Sequence, residues 1–390
     1  MAQATAQSVV VIPLLGDDAE PPSNIISVAQ ENGDFDNPIT AVNSIPASGP
    51  DAPSATNPYV IVIAPGNYVL TSRLVMRPFV SVVGSGKQAT ILSGSISGEN
   101  SDLNAALIEG ASNTELSNLR VENQLTSPGN VAIGVIAQGI VTFLIKHIEV
   151  SVNGATRENI GIKNSFVGPV IHDVKITVNG AGNPSSINTA LENNSSPVTL
   201  GDINLTAVGG ATTIGMNNPF SAVRMRNATI NASGGTTANS GIINSGGPFF
   251  VQLRDFWITA SGGTTNIGID NDDAAPKISN GYIWVLGGTS SYGVRSTNSA
   301  APILTSVDIE VEGSTTTYGV LVSSGTTKIR RSSVVAATDT VHAQAGAIVN
   351  VTSSMIENGN VGGAGDINCY NATSDAGTGF YLSQLCVPQP

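Results

Sequence analysis

The stretch Asp255-Phe-Trp-Ile-Thr-Ala-Ser-Gly-Gly-Thr-Thr-Asn-Ile-Gly-Ile-Asp-Asn-Asp-Asp-Ala-Ala-Pro-Lys-Ile-Ser-Asn280 decides the fold. A short strand from Phe256 runs into a Gly-Gly-Thr-Thr turn at Gly262. A second, Ile267-Gly-Ile, ends at Asp270-Asn271. A third is opened by Pro276, and the pattern restarts at Asn280. Versions of this unit fill much of the chain, and a period of this length means stacked repeats.

A small residue precedes the middle strand at Gly134, Gly161, Ala190, Gly215, Gly241, Gly268, Gly293 and Gly319, at intervals of 27, 29, 25, 26, 27, 25 and 26 residues. The Gly-Gly turn recurs at Gly209, Gly234 and Gly287, and Pro169, Pro197 and Pro302 match Pro276 at a strand's first position, where no ladder donor is needed. One such unit cannot bury its apolar face alone; stacked at the ~4.8 Å strand spacing it builds a continuous Ile/Val/Leu core.

Composition agrees. Of 390 residues only 11% are charged and 5% aromatic, with 43 glycines. Abundant Val, Ile, Thr, Ser and Asn with few helical periods reads as all-β. The net charge of −12 and the absence of any Lys/Arg run argue against nucleic acid as a partner. An anionic polysaccharide stays open, because a local basic patch can oppose the global sign. No apolar run is long enough to span a membrane. Residues 1–22 carry no intact signal peptide, and their small residues fit the start of a mature exported chain. Closing Cys369 and Cys386 into a disulfide would tie down the C-terminal segment and fits export; two unpaired thiols are the alternative.

Residues 1–57 are expected to form an entry segment and cap. Apolar residues at 39, 42 and 45, Pro38 in the first turn and Asn37 as N-cap predict one short helix. The repeat should occupy 58–360, and 361–390 should cap it.

Three ordered segments resemble the N-terminal coils of pectinesterases: Val28-Ala…Gly33-Asp-Phe35…Ile39…Ala41-Val42, Tyr59-Val-Ile-Val-Ile-Ala-Pro-Gly-Asn-Tyr68, and Val82-Val-Gly-Ser-Gly…Thr90-Ile91. The resemblance implies the pectin-lyase-like fold: a single-stranded right-handed parallel β-helix with a short N-terminal capping helix. The family's catalytic segments (Gln-Asp-Thr-Leu, Gly-x-x-Asp-Phe-Ile-Phe-Gly, Leu-Gly-Arg-Pro-Trp) are absent, so esterase activity is not implied. The repeats and the two-cysteine end also resemble exported bacterial β-helix repeat proteins, which implies export more than chemistry.

Three positions after the small marker stand Asn164, Asn193, Asn218, Asn244 and Asn271. This spacing predicts a buried amide ladder at one corner; a surface row of sugar-contacting amides is the functional alternative. Asp270, Asp272 and Asp273 form the densest acid cluster, able in principle to act on or hold a glycan or to bind Ca²⁺, with an ordinary acidic loop as the plain reading. Trp257 and Trp284, 27 residues apart, are candidates for a sugar-stacking platform against the plain reading of core filling. His147, His172 and His342 sit in different coils and predict no metal site, and no cofactor is expected. The function expected is a non-catalytic exported rod, acting as a cell-surface, adhesive or filament-forming protein with carbohydrate contacts. Its partners would be polysaccharide or copies of itself. The alternative is a polysaccharide lyase or glycoside hydrolase.

Overall fold

Each repeat closes into one coil whose longest strand bends at a single residue. In the computed structural model, which describes residues 24–140, 142–180, 183–247, 249–374 and 380–381, strand Val251–Ser261 turns at Asp255, whose φ is 53°. Residues 251–254 belong to one sheet (sheet 1) and 256–261 to the next (sheet 2). The Gly262 turn leads to strand Thr265–Asp272, which lies in sheet 3. Equivalent residues of successive coils pair in parallel: Arg226 with Arg254, Thr229 with Trp257, Asn244 with Asn271. The molecule is a parallel β-helix.

The bend needs a residue that tolerates the left-handed region, which Asn and Asp do better than other non-glycine residues. The corner column accordingly runs Asp173, Asp202, Asn227, Asp255 and Asn280, with φ between 49° and 53°, and is continued by His147 at 52° on one side and Ser306 at 54° on the other. Inside the coil, strict alternation sorts the side chains: Val251, Leu253, Phe256, Ile258 and Ala260 are buried while Arg254, Trp257 and Thr259 face out.

The small marker residues have a steric cause. A Cβ on Gly161, Gly215, Gly241, Gly268 or Gly293 would overlap the Cγ2 of Ile176, Ile230, Ile258, Ile283 or Ile309 of sheet 2, and would press on the carbonyl of the next marker. Sheet 3 therefore runs against a column of β-branched side chains. In register with Ile176 and Ile230 that column holds Leu205, which lacks the second branch at Cβ, and this is the coil whose marker is Ala190.

At the N-terminal end the helix Pro38–Ser44 has Pro38 in its first turn, and Asn37 Oδ1 accepts from Ile39 N at 2.8 Å. Its Ala41 and Val42 are buried against the first coils. The stack begins before residue 58, because strand Asn24–Val28 pairs in parallel with Tyr59–Ile63. It also continues past residue 360. Asp366–Tyr370 pairs with Ala347–Thr352, since inward alternation persists after the Gly and Asn markers have stopped. Phe380–Tyr381 then pairs antiparallel with Thr373–Ser374, covering part of an otherwise open edge. Cys369 is buried on that last rung; Cys386 lies outside the described residues.

Candidate functional site

The outer face of sheet 2 gathers aromatic and acidic side chains that lie far apart in sequence. Strands Val251–Ser261, Lys277–Leu286 and Ile303–Glu312 place Trp257, Tyr282 and Asp308 in one outward column, and Thr259, Trp284 and Glu310 in the next. Trp257 is 48% exposed. Its ring centroid is 4.4 Å from that of Tyr282, with the planes inclined by 36°, and its Nε1 donates to Thr259 Oγ1 at 3.2 Å. Trp284 faces the same way one coil on, partly buried. The two tryptophans are thus brought together on one face. Phe256, beside Trp257 in sequence, points inward and is 6% exposed.

The acids beside this platform are mutually engaged. The Tyr282 hydroxyl donates to Glu310 Oε2, and Glu310 and Glu312 stand two residues apart on the outward side of strand Ile303–Glu312. Burial, then the bond to Glu310, then the charges of Glu310, Glu312 and Asp308 push the Tyr282 hydroxyl up to about 12. The neighbouring Glu310 holds Glu312 above the usual carboxylate range, while the bond from Tyr282 holds Glu310 below it. Glu310 and Glu312 escaped the sequence reading. The signal was available: adding one 26-residue period to Trp284 gives Glu310.

The acid cluster at 270–273 is elsewhere. Asp270 lies on sheet 3, 8% exposed, in a two-pronged ion pair with Arg295 at 2.6 and 2.9 Å. That bond raises the Arg295 pKa further, and the guanidinium also covers the Tyr292 ring at 5.6 Å. Asp272 accepts from Thr297 Oγ1 at 3.2 Å and Asn298 Nδ2 at 2.5 Å. Asp273 forms the corner that follows, with φ 54°. None of the three shares a face with Trp257 and Trp284.

Within the coil, Asn164 Nδ2 donates to Asn193 Oδ1 at 2.9 Å, Asn193 to Asn218 at 2.9 Å, Asn218 to Asn244 at 3.0 Å and Asn244 to Asn271 at 3.0 Å. All five are at most 1% exposed. The chain of bonds has two free ends, Asn164 Oδ1 and Asn271 Nδ2, both buried without a partner. A second amide row fills the Gly-Gly corner: Asn159 donates to Asn188, and Asn239 to Asn266, each at 2.9 Å. Asn266 also donates to Gly287 O at 2.7 Å and accepts from Gly263 N at 3.0 Å.

His147 Nδ1 lies 2.7 Å from Asp173 Oδ2, and His172 Nε2 2.7 Å from Asp202 Oδ2. His342 pairs with Asp339 at the same distance. Among the described residues no three His, Cys, Asp or Glu side chains are grouped to hold a metal ion, and no helix is long and apolar enough to cross a membrane.

No family model and no curated protein matches the chain. Among solved structures it is similar to the mannuronan C-5 epimerase AlgE6 A-module of Azotobacter vinelandii, at 12% identity over 86% of this chain and 93% of that one, TM-score 0.48. The AlgE4 A-module of the same organism gives 13%, 82%, 87% and 0.45. Pectin methylesterase PemA from Erwinia chrysanthemi gives 10%, 95%, 94% and 0.29. With these TM-scores below 0.5, the functional reading of this chain rests on its own geometry.

Proposed function

We propose that the protein is an exported, non-catalytic β-helix rod that binds polysaccharide on the outer face of sheet 2. The observation that carries this reading is the half-exposed Trp257 ring set against Tyr282, with Trp284 in the neighbouring coil. Indole and phenol faces take the C–H faces of sugar rings, and Glu310 and Glu312 supply acceptors for sugar hydroxyls at the platform's edge. The rigid ladder-filled coil below holds these groups at fixed spacing, so little ordering entropy is lost on binding. Cys369 bonded to Cys386 completes the proposal for an exported chain, and a mass difference on reduction tests it.

The test is titration calorimetry against a panel of neutral and acidic polysaccharides. Trp257→Ala should weaken the best binder about tenfold, with no release of reducing ends and no rise in absorbance from unsaturated product. A panel without any binder, or binding indifferent to Trp257→Ala, would sink the proposal.

One observation favours a hydrolase as the second reading. The Glu312 carboxyl is held above the usual carboxylate range and its neighbour Glu310 below it, a separation in the direction that acid and base roles in glycoside hydrolysis require. Turnover abolished by Glu310→Gln and by Glu312→Gln would establish it over the non-catalytic rod.

A further inference from the structure

The edge where sheet 3 turns into sheet 1 carries a second surface, away from the tryptophan platform. Of the chain's 16 Lys and Arg residues, Arg224, Arg226, Arg254, Lys277, Lys328 and Arg330 all stand on the outer face of sheet 1. They form two columns. Arg224, Gln252, Lys277, Ile303 and Lys328 are in register in one; Arg226, Arg254, Ser279, Thr305 and Arg330 in the other. These five rungs contain no Asp or Glu between residues 223–226, 251–254, 277–279, 303–305 and 328–330. At the strand spacing they extend roughly 19 Å along the axis. Among the described residues only Arg254 of the six has a carboxylate within ion-pair distance, its neighbour Asp255 at 3.4 Å. A chain of net charge −12 thus has five consecutive rungs of one sheet face that carry only basic charge.

Phenylalanines border this face. Phe220, Phe249 and Phe250 are 53%, 42% and 47% exposed, although burial is the ordinary fate of such side chains. They are held in place. Phe220 packs edge-on against Phe249 with centroids 6.5 Å apart. Gly246, at φ 87°, leaves the space the Phe220 ring needs, since a Cβ there would stand 2.5 Å from it. The Arg224 guanidinium lies 5.3 Å from the centre of the Phe250 ring. Arg224, Arg226 and Arg254 rim a depression of about 200 Å³.

We propose that this edge docks the rod on an anionic lipid surface, with the phenylalanines entering at the headgroup level and the sheet 1 cations meeting lipid phosphates. A soluble polyanion would use the cations and leave the exposed phenylalanines without a role; the pairing of an apolar ridge with a basic face is what a charged bilayer surface matches. Arg suits the phosphate because its planar fork binds two oxygens at once. Docked on this edge, the rod keeps sheet 2 and its platform free on another side.

The experiment is co-sedimentation of the full chain with phosphatidylcholine vesicles prepared with and without phosphatidylglycerol. The wild-type chain should pellet with the anionic vesicles at least about tenfold more tightly than with the neutral ones, and added salt should weaken it. Arg224→Glu/Arg226→Glu should lose at least about tenfold, and Lys328→Glu/Arg330→Glu, at the other end of the face, should lose less. Phe249→Ser/Phe250→Ser should lose severalfold. All these side chains are on the surface, and an unchanged melting curve confirms that each variant folds. No preference for anionic vesicles overturns the proposal. So does a Phe249→Ser/Phe250→Ser variant that pellets like wild type, which together with tight binding of soluble polyphosphate would identify a plain polyanion site. Trp257→Ala should leave vesicle binding unchanged, so failure of the docking surface and failure of the glycan platform are separable.

Discussion

Replacing Asn218 with alanine should be among the costliest single truncations of a polar residue in the molecule. Its Oδ1 accepts from Asn193 at 2.9 Å and its Nδ2 donates to Asn244 at 3.0 Å, and all three side chains are at most 1% exposed. The substitution leaves one donor and one acceptor buried without partners. At about 1–3 kcal/mol for each orphaned group, the loss is about 2–6 kcal/mol before any cavity is counted. Asn271→Ala is the control. It orphans only the donor of Asn244 and also removes an Nδ2 that is already unpartnered, so its cost should be at most half that of Asn218→Ala. Guanidinium denaturation gives the two stabilities. Hydrogen exchange should show faster opening of strands Ile187–Asn194, Thr212–Pro219 and Ala238–Ser245 in the Asn218 variant, because repeat stacks lose protection around the damaged rung. Equal costs at the two positions, or a loss below about 1 kcal/mol for Asn218→Ala, would refute the claim that the amides stabilise as a connected row.

The ladder's free end makes a stabilising substitution available: Ser296 is in register with Asn271, so Ser296→Asn should give the unpartnered Nδ2 an acceptor and raise the thermal midpoint, with a gain of about 1 kcal/mol. Gly241→Ala should cost about 1–3 kcal/mol by overpacking against Ile258, and adding Ile258→Leu should recover part of it; strictly additive costs in the denaturation midpoints would contradict the steric account. Burial first, and then the charge of Glu192, raise the Glu158 pKa in the fold, against the pull of Lys163 and Arg157. A carboxyl that binds its proton more tightly folded than unfolded stabilises the fold as pH falls through its folded value toward the unfolded one, near 4.3. Glu158→Gln should therefore melt higher than wild type at pH 7, with the difference closing as pH falls to about 4, as followed by calorimetry at a series of pH values.

What the sequence discloses about this molecule depends on whether a feature lies along the chain or down a column. The coil architecture lies along it. The 26-residue marker spacing, the Gly-Gly turns and the left-handed Asn/Asp corners each repeat in linear order, and each has one local cause, a Cβ that does not fit or a φ that only some residues accept. Even the exception can be read this way, since Ala190 replaces glycine in the coil where Leu205 replaces isoleucine in the column opposite. The second amide row is harder to see, because Asn188 is followed one coil on by Thr213, which donates to Asn239 at 2.6 Å instead of continuing an unbroken run of asparagines.

The candidate site belongs wholly to columns. Asp270, Asp272 and Asp273 look like companions of Trp257 because they are fewer than 20 residues away, yet a turn at Gly262 puts them on another sheet, where Arg295, Thr297 and Asn298 already engage two of them. Glu310 is more than 50 residues from Trp257 but two rungs away on the same face. In a stack with a 4.8 Å rise, two rungs are closer than the two ends of a single strand. Linear proximity therefore misleads within one coil, and the multiple of the period predicts neighbours. Applied to the arginines, the same rule turns residues scattered over a hundred positions into one basic face, which the net charge of −12 conceals.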